Sequence, residues 1–397
     1  MEPNRSPVVP ETLPLSGVRV LELGSTVAGP AAGRLLADFG AEVLKIEAPD
    51  GDHLRTWGEP APDGTSWWFK SHNRNKVFLS FNLRDEADLK SVQALAASSD
   101  VVLENFRPGQ LAKWGLGYRE LSARNPRLVY VSISGYGQDG PYASRPGFGH
   151  IAESMSGFRY VTGFPDRPPV RVGLSIGDEI AGLYAVIGTM MALRARDRDG
   201  VGDHVDISLI ESLFSLTESV LPEYRHAGVV AERSGNRYGR AAPSNTYETR
   251  DRQFLSIAAN SQPLFHKLCA LLGRPELEKD PRFASNPARV ANCVELDEII
   301  GAWAASIDLQ PALQRLNDAG IPAGLVYSIA DIAADAQFKA RGALAEVPDE
   351  FGAPIATPGL VPRLSRHPGR LSHAAKAIGA DQALLAKLLN RTGSSAT

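Results

Sequence analysis

Two cysteines in 397 residues, Cys269 and Cys293, are too few for a disulfide framework and show no metal-ligand spacing. That fits a reducing cytoplasm. Charge of one sign is also lacking: 42 Lys and Arg against 45 Asp and Glu leave a formal net charge of −3. No global basic field therefore draws nucleic acid or a membrane surface, and an anionic ligand must be met by local Lys and Arg. No His-x-x-x-His or Cys-x-x-Cys pair suggests a metal, and no Gly-x-x-x-x-Gly-Lys loop suggests a nucleoside triphosphate. The segment Met1-Glu-Pro-Asn-Arg-Ser-Pro7 has no apolar core of the kind a signal peptide needs. No apolar run reaches bilayer length, and no internal repeat is visible. What is present, 43% hydrophobic and 22% charged residues, is the composition of a soluble cytoplasmic protein of about two to three domains.

From Val18 the chain alternates strand-like and helical segments. Val18-Arg-Val-Leu-Glu-Leu23 reads as a strand, Pro30 to Gly40 as a helix with Pro near its start and Gly at its end, and Glu42-Val-Leu-Lys-Ile-Glu47 as the next strand. Two further units follow, helical 84–98 into Asp100–Glu104 and helical 118–124 into Leu128–Ile133. This alternation predicts an α/β protein with a parallel, doubly wound sheet, whose ligands lie at the carboxyl ends of the strands. Ser25–Gly29, Asn105–Gly109 and Ser134–Gly137 then share one rim. We expect a large domain beginning with residues 1–205, a linker or lid at 206–250, a small domain at 251–330, and a segment 331–397 that returns to the large domain.

Three motifs compete for the chemistry. Gly135-Tyr-Gly-Gln-Asp-Gly140 matches Gly-x-Gly-x-x-Gly after a strand, but Pro141 and Pro146 deny the helix that a dinucleotide fingerprint needs. Gly173-Leu-Ser-Ile-Gly177 matches the serine-hydrolase elbow, with Ser175 as nucleophile and a base from His204, His226, His266, His367 or His373. The third candidate is Asp178, which with Glu179 heads a helix carrying no further charge until Arg194. A helix apolar all round reads as buried, and the plain role of Asp178 is an N-cap. Its chemical role is attack on an activated acyl carbon, for which a thioester suffices. Other polar groups have plain readings too: His150 as a core or rim histidine, Asn73-Arg-Asn-Lys76 as a polar turn, Arg107 and Lys113 as solvated charges. Their alternative is contact with phosphate or carboxylate.

Taken together, several segments resemble the family III CoA-transferases, the group that contains formyl-CoA and carnitine CoA-transferases. They are Leu15–Leu23, Ala28-Gly-Pro30, Phe39–Glu47, Asn73–Lys76, Glu104-Asn-Phe-Arg-Pro-Gly109, Ser134-Gly-Tyr-Gly137, Gly177-Asp178 and Gly320-Ile-Pro-Ala-Gly324. The resemblance spans about residues 14–370 and is nearest to succinyl-CoA:dicarboxylate members. It implies a Rossmann-like large domain, a smaller α+β domain, and two subunits interlocked as a homodimer. It also implies an aspartyl nucleophile at Asp178, which passes through an anhydride and an aspartyl-CoA thioester. CoA contacts fall on Thr26, Val27, Asn105, Phe106, Lys113, Ser134 and Tyr136, with Arg74, Lys76 and Arg107 as candidate anion contacts. CoA enters as a substrate, with no permanently bound cofactor and no metal. A racemase branch of the same superfamily is the alternative; it pairs an Asp with a His, and this chain has Phe148 at the place of that His. Ala48 stands where some members carry a basic residue toward the nucleotide, and Phe148-Gly149 where many have Tyr-Asp.

Overall fold

The computed structural model describes residues 12–390. Six parallel strands form the main sheet: β1 (Arg19–Glu22), β2 (Glu42–Glu47), β3 (Val77–Ser80), β4 (Val101–Glu104), β5 (Val129–Ser134) and β6 (His204–Ser208). Their order is β3-β2-β1-β4-β5-β6, so the winding reverses between β1 and β4. Strands β1, β4 and β5 are buried along their whole length, as their near-continuous apolar runs require of a sheet covered on both faces. One face packs Val20, Leu103, Val131 and Ile133 against helices, and the other packs Leu21, Leu44, Val102 and Tyr130. A Rossmann-like α/β architecture is thus present, with its ligand crevice expected at the β1/β4 reversal.

Helices α1 (Ala28–Asp38), α2 (Trp67–His72), α3 (Glu86–Ala97), α4 (Tyr118–Arg124) and α5 (Gly149–Met155) accompany the strands, and α6 (Ile176–Asp199) is the longest. Helix α6 departs from the expectation of a helix buried all round. Small residues (Gly177, Ala181, Gly182, Ala185) face the core, whereas Leu183, Ile187 and Met191 are 50%, 47% and 68% exposed. The cause is close packing: a methyl placed at Gly182 would lie 3.0 Å from Ala31 Cβ of α1. Only small side chains fit between the two backbones, so the large ones are turned outward. By length and composition α6 would also suit a membrane span, although 39% of its most apolar window is buried within the protein.

The chain divides into two compact units. One takes in the chain up to Phe158, Arg171–Leu221 and the chain from Ala336 on; the other comprises Arg159–Val170 and Pro222–Asp335. Residues 206–250 hold most of β6, α7 (Leu209–Phe214), α8 (Val220–Ala227) and β7 (Ser244–Glu248). Strand β7, Ser-Asn-Thr-Tyr-Glu, has one buried side chain, Tyr247. It therefore carries no apolar alternation to read and takes its form by pairing with β8 (Phe254–Ala258). Strand β9 (Ala323–Leu325) completes this antiparallel sheet. Helices α9 (Gln262–Leu271), α10 (Asn286–Ala291), α11 (Cys293–Ala305) and α12 (Leu309–Asp318) accompany it around Phe265, Leu268, Ile300 and Leu316. The second unit is thus α+β. In the first unit, a hairpin of β10 (Leu344–Pro348) and β11 (Pro354–Pro358) lies in the C-terminal segment.

Candidate active site

Behind β1 the chain must turn sharply into α1, and a buried ion network holds that turn. The Lys45 ammonium, fully enclosed, bonds Glu22 Oε1 at 3.2 Å, the Gly24 carbonyl at 3.1 Å and Asp52 Oδ2 at 3.0 Å. Asp52 in turn accepts the Thr26 N–H on both carboxylate oxygens, at 2.9 and 3.0 Å. Burial alone would raise the Asp52 carboxyl; Lys45 and the Leu54 and Thr26 N–H groups outweigh it and hold it below its ordinary range. Thr26 has φ +67°, a left-handed conformation that a β-branched residue adopts only where its surroundings impose it. Asn105, after β4, clamps the same loop by accepting the Ser25 N–H at 2.9 Å and donating to the Ser25 carbonyl at 2.8 Å.

These loops line a cavity of about 310 Å³ at the carboxyl ends of β1, β4 and β5. Thr26, Val27, Asn105, Ser134, Ser175 and Asp178 all border it. Helices α1 and α6 both begin there, at Val27 and Ser175, and neither N-cap makes a side-chain capping bond. Two helix starts with uncapped N–H groups provide positive ends suited to a developing anion. Asp178 is the third residue of α6 and so not its N-cap; the N-cap expectation is corrected accordingly. Its carboxylate rests on bare backbone, because a methyl placed at Gly149 would lie 2.2 Å from Asp178 Oδ2. The absence of a side chain at Gly149 therefore leaves the space the carboxylate occupies. Burial first, then the Glu179 and Glu153 charges, push the Asp178 carboxyl up to about 6, with Arg171 opposing them.

The other expected contacts scatter. Phe106 stands edge-on to Trp114, ring centroids 6.2 Å apart. Both border an adjoining cavity of about 480 Å³ that also holds Ala48 and Arg84. Arg107 opens instead on a third cavity of about 440 Å³, with Glu104, Ser132 and His204. Lys113 is exposed and donates to Gln110 Oε1 at 3.3 Å. The Tyr136 hydroxyl points to Met155 Sδ at 3.5 Å. Two candidates are corrected outright as anion contacts. The Arg74 guanidinium is buried against Asp38, Nη2 to Oδ2 2.7 Å, and also donates to Thr357 and the Pro358 carbonyl. Lys76, 0% exposed, pairs with Glu22 at 2.7 Å and donates to Glu22 Oε1 at 3.0 Å, Asn73 Oδ1 at 2.8 Å and the Pro30 carbonyl at 3.0 Å. Both hold the scaffold, since a fully enclosed cation already satisfied by a carboxylate cannot also meet a ligand.

Sequence reasoning missed Trp57 and Gly149, which border the Asp178 cavity, and Glu153, which is buried nearby. A Gly-Phe-Gly run at 147–149 was the available signal for close backbone approach. Among the described residues, none of the five histidines considered for Ser175 borders this cavity; His150 does. No strand leads into Ser175 as a nucleophile elbow requires. The 135–140 glycine run likewise starts no helix, as Pro141 and Pro146 predict.

A partly buried carboxylate and two helix starts without side-chain caps thus meet at a cavity on the carboxyl rim of a Rossmann-like sheet. Residues 15–382 match CoA-transferase family III, and the chain belongs to that family. It is 44% identical over 367 residues to a succinyl-CoA–D-citramalate CoA-transferase of Chloroflexus aurantiacus, covering 92% of this chain and 91% of that protein. A succinate–glutarate CoA-transferase of Agrobacterium fabrum is 36% identical over 97% of each. Among solved structures, a CaiB/BaiF family protein from Brucella suis superimposes with a TM-score of 0.84 at 37% identity, covering 95% of this chain and all of that one. The protein is an enzyme, a CoA-transferase acting between CoA thioesters and carboxylic acids.

Proposed function

We propose that this enzyme moves CoA from succinyl-CoA to a second dicarboxylic acid through covalent intermediates on Asp178. An Asp178 oxygen attacks the thioester carbonyl carbon, the C–S bond breaks, and a mixed anhydride and CoA thiolate result. The thiolate attacks the aspartyl carbonyl, freeing succinate and leaving an aspartyl-CoA thioester. The acceptor carboxylate then attacks that carbonyl and expels the thiolate, giving its own mixed anhydride. Attack by the thiolate on the acceptor's acyl carbon releases the new CoA thioester and restores the Asp178 carboxylate. No net proton is needed. Negative charge only migrates, and the starts of α1 and α6 are placed to stabilise it.

The observation that carries this reading is the Asp178 carboxylate itself, part-desolvated, raised in pKa and set against Gly149 at the cavity floor. A carboxylate stripped of part of its hydration is a stronger nucleophile than one in water. Succinyl-CoA is named as donor because relatives carry succinyl-CoA and dicarboxylates in their descriptions. CoA serves as substrate, with no permanently bound cofactor. Its nucleotide end fits the cavity beside Phe106 and Trp114, where Arg84 offers the cation that Ala48 does not. Thr26, Val27, Asn105 and Ser134 border the thioester end. The free cysteines suit the cytoplasm, and the outward Leu183, Ile187 and Met191 support association of two copies; light scattering that returns a monomer would remove the dimer. The mechanism is tested by incubation with succinyl-CoA, then hydroxylamine, followed by peptide mass spectrometry. A hydroxamate at Asp178 is expected; a modified Ser175, or none while transfer proceeds, would refute the aspartyl route.

A further inference from the structure

Each dicarboxylic substrate has one carboxylate engaged at Asp178 and one that is not. The second must also be accommodated, in a cavity bordered by Asp178, whose carboxyl already feels the charge of the 1% exposed Glu153. Like charges brought together in a partly desolvated site repel strongly, so a dicarboxylate needs a cation there. Among the described residues bordering this cavity, Arg171 is the only Lys or Arg.

We propose that Arg171 is the specificity-determining residue that binds the distal, non-reacting carboxylate of succinyl-CoA and of the acceptor acid. This rests on the aspartyl transfer proposed above and adds to it the group that selects the acid.

Three observations support the assignment. The Arg171 side chain borders the cavity and is 44% exposed. Its anchor is Glu153, with Nε 3.6 Å from Oε2, beyond hydrogen-bond distance. The other Glu153 oxygen, Oε1, is buried with no hydrogen-bond partner. A buried carboxylate thus holds the arginine nearby without using its terminal N–H groups. A guanidinium presents paired donors that match a carboxylate in a bidentate fork. Arg171 and Asp178 border the same cavity, and Arg171 acts on the Asp178 carboxyl through space.

The test compares succinyl-CoA with butyryl-CoA, which has the same carbon count and lacks the distal carboxylate. The rate at which each thioester exchanges its acyl group with its own labelled free acid reads the aspartyl chemistry with one acid and no second acceptor. Work at pH 8.5 keeps Asp178 ionised in every variant, which removes any effect of Arg171 on its titration. Arg171→Gln should lower kcat/KM for succinyl-CoA by roughly 30- to 300-fold, the range expected for a lost charge-assisted hydrogen bond. Butyryl-CoA should change by less than about threefold, and Arg171→Lys should fall between. Equal losses on both thioesters, or no loss on either, would overturn the assignment. If the wild-type protein exchanges neither thioester and forms no hydroxamate, the transfer mechanism has failed, which is a distinct result.

Discussion

Replacing Asp178 by asparagine removes a charge while keeping nearly the same shape, and the structure fixes the direction of the effect on stability. The carboxyl is raised from its ordinary 3.8 to about 6. At 1.36 kcal/mol per tenfold change in affinity, that amounts to about 3 kcal/mol, and partial exposure of the side chain reduces it to about 2 kcal/mol. A raised carboxyl contributes fully below pH 4, where both folded and unfolded forms are protonated. As pH climbs toward 6 the unfolded chain releases the proton first, so the native state loses ground, and above about 6 the penalty is constant. Asp178→Asn should therefore be inactive in transfer, as stable as the wild type near pH 4, and more stable by about 2 kcal/mol at pH 8. Urea unfolding followed by tryptophan fluorescence at both pH values measures this, since Trp57, Trp67, Trp68 and Trp114 all lie in the unit that contains Asp178. An N-capping aspartate would give the reverse, a loss of about 0.5–2 kcal/mol at pH 8. That result would refute the desolvation argument.

Gly149→Ala places a methyl where Asp178 Oδ2 now lies. It should lower kcat by roughly 100-fold or more while leaving KM for the acyl-CoA little changed, as steady-state kinetics would show. The pH profile of kcat/KM should rise with a limb near 6 as Asp178 ionises; Glu179→Gln should move that limb to lower pH, because the Glu179 charge is the second cause of the shift after burial. A limb near 4 in the wild type would contradict the placement of the carboxyl. Ser134 Oγ is buried without a hydrogen-bond partner, so Ser134→Ala should change stability by less than about 1 kcal/mol. A fall in kcat with an unchanged melting curve would then mean that substrate uses this hydroxyl. Arg74→Met leaves Asp38 buried without its cation and should cost about 3–5 kcal/mol in unfolding experiments. The protein that remains folded should bind CoA with unchanged Kd by calorimetry, because Arg74 lies away from the cleft.

Much of the architecture was readable because the β1–β5 region obeys local rules. Apolar runs of four to six residues, helices opened near Pro30 and closed near Gly40, and glycine-rich turns at strand ends give a parallel sheet and place its ligand rim. The rim positions Thr26, Val27, Asn105 and Ser134 followed from counting strand ends, and the structure gathers them around one cavity. Charged residues were a different matter. Arg74 and Lys76 look like a polar turn before a strand, but their partners Asp38 and Glu22 lie 36 and 54 positions earlier in the chain. No local pattern signals such a pairing. Glu153 was similarly opaque, being an ordinary polar residue until folding brings it to Arg171.

The sequence by itself determined the alternation of strands and helices, and with it the sheet, the rim and the acid at the head of α6, because these depend on neighbours a few residues apart. Only the tertiary structure decided which face of α6 is buried, which cations are enclosed in the scaffold, and that the Asp178 carboxylate rests on Gly149. Those outcomes depend on burial and on charges meeting across long loops. The energies of desolvation and pairing involved exist only once the chain has closed on itself.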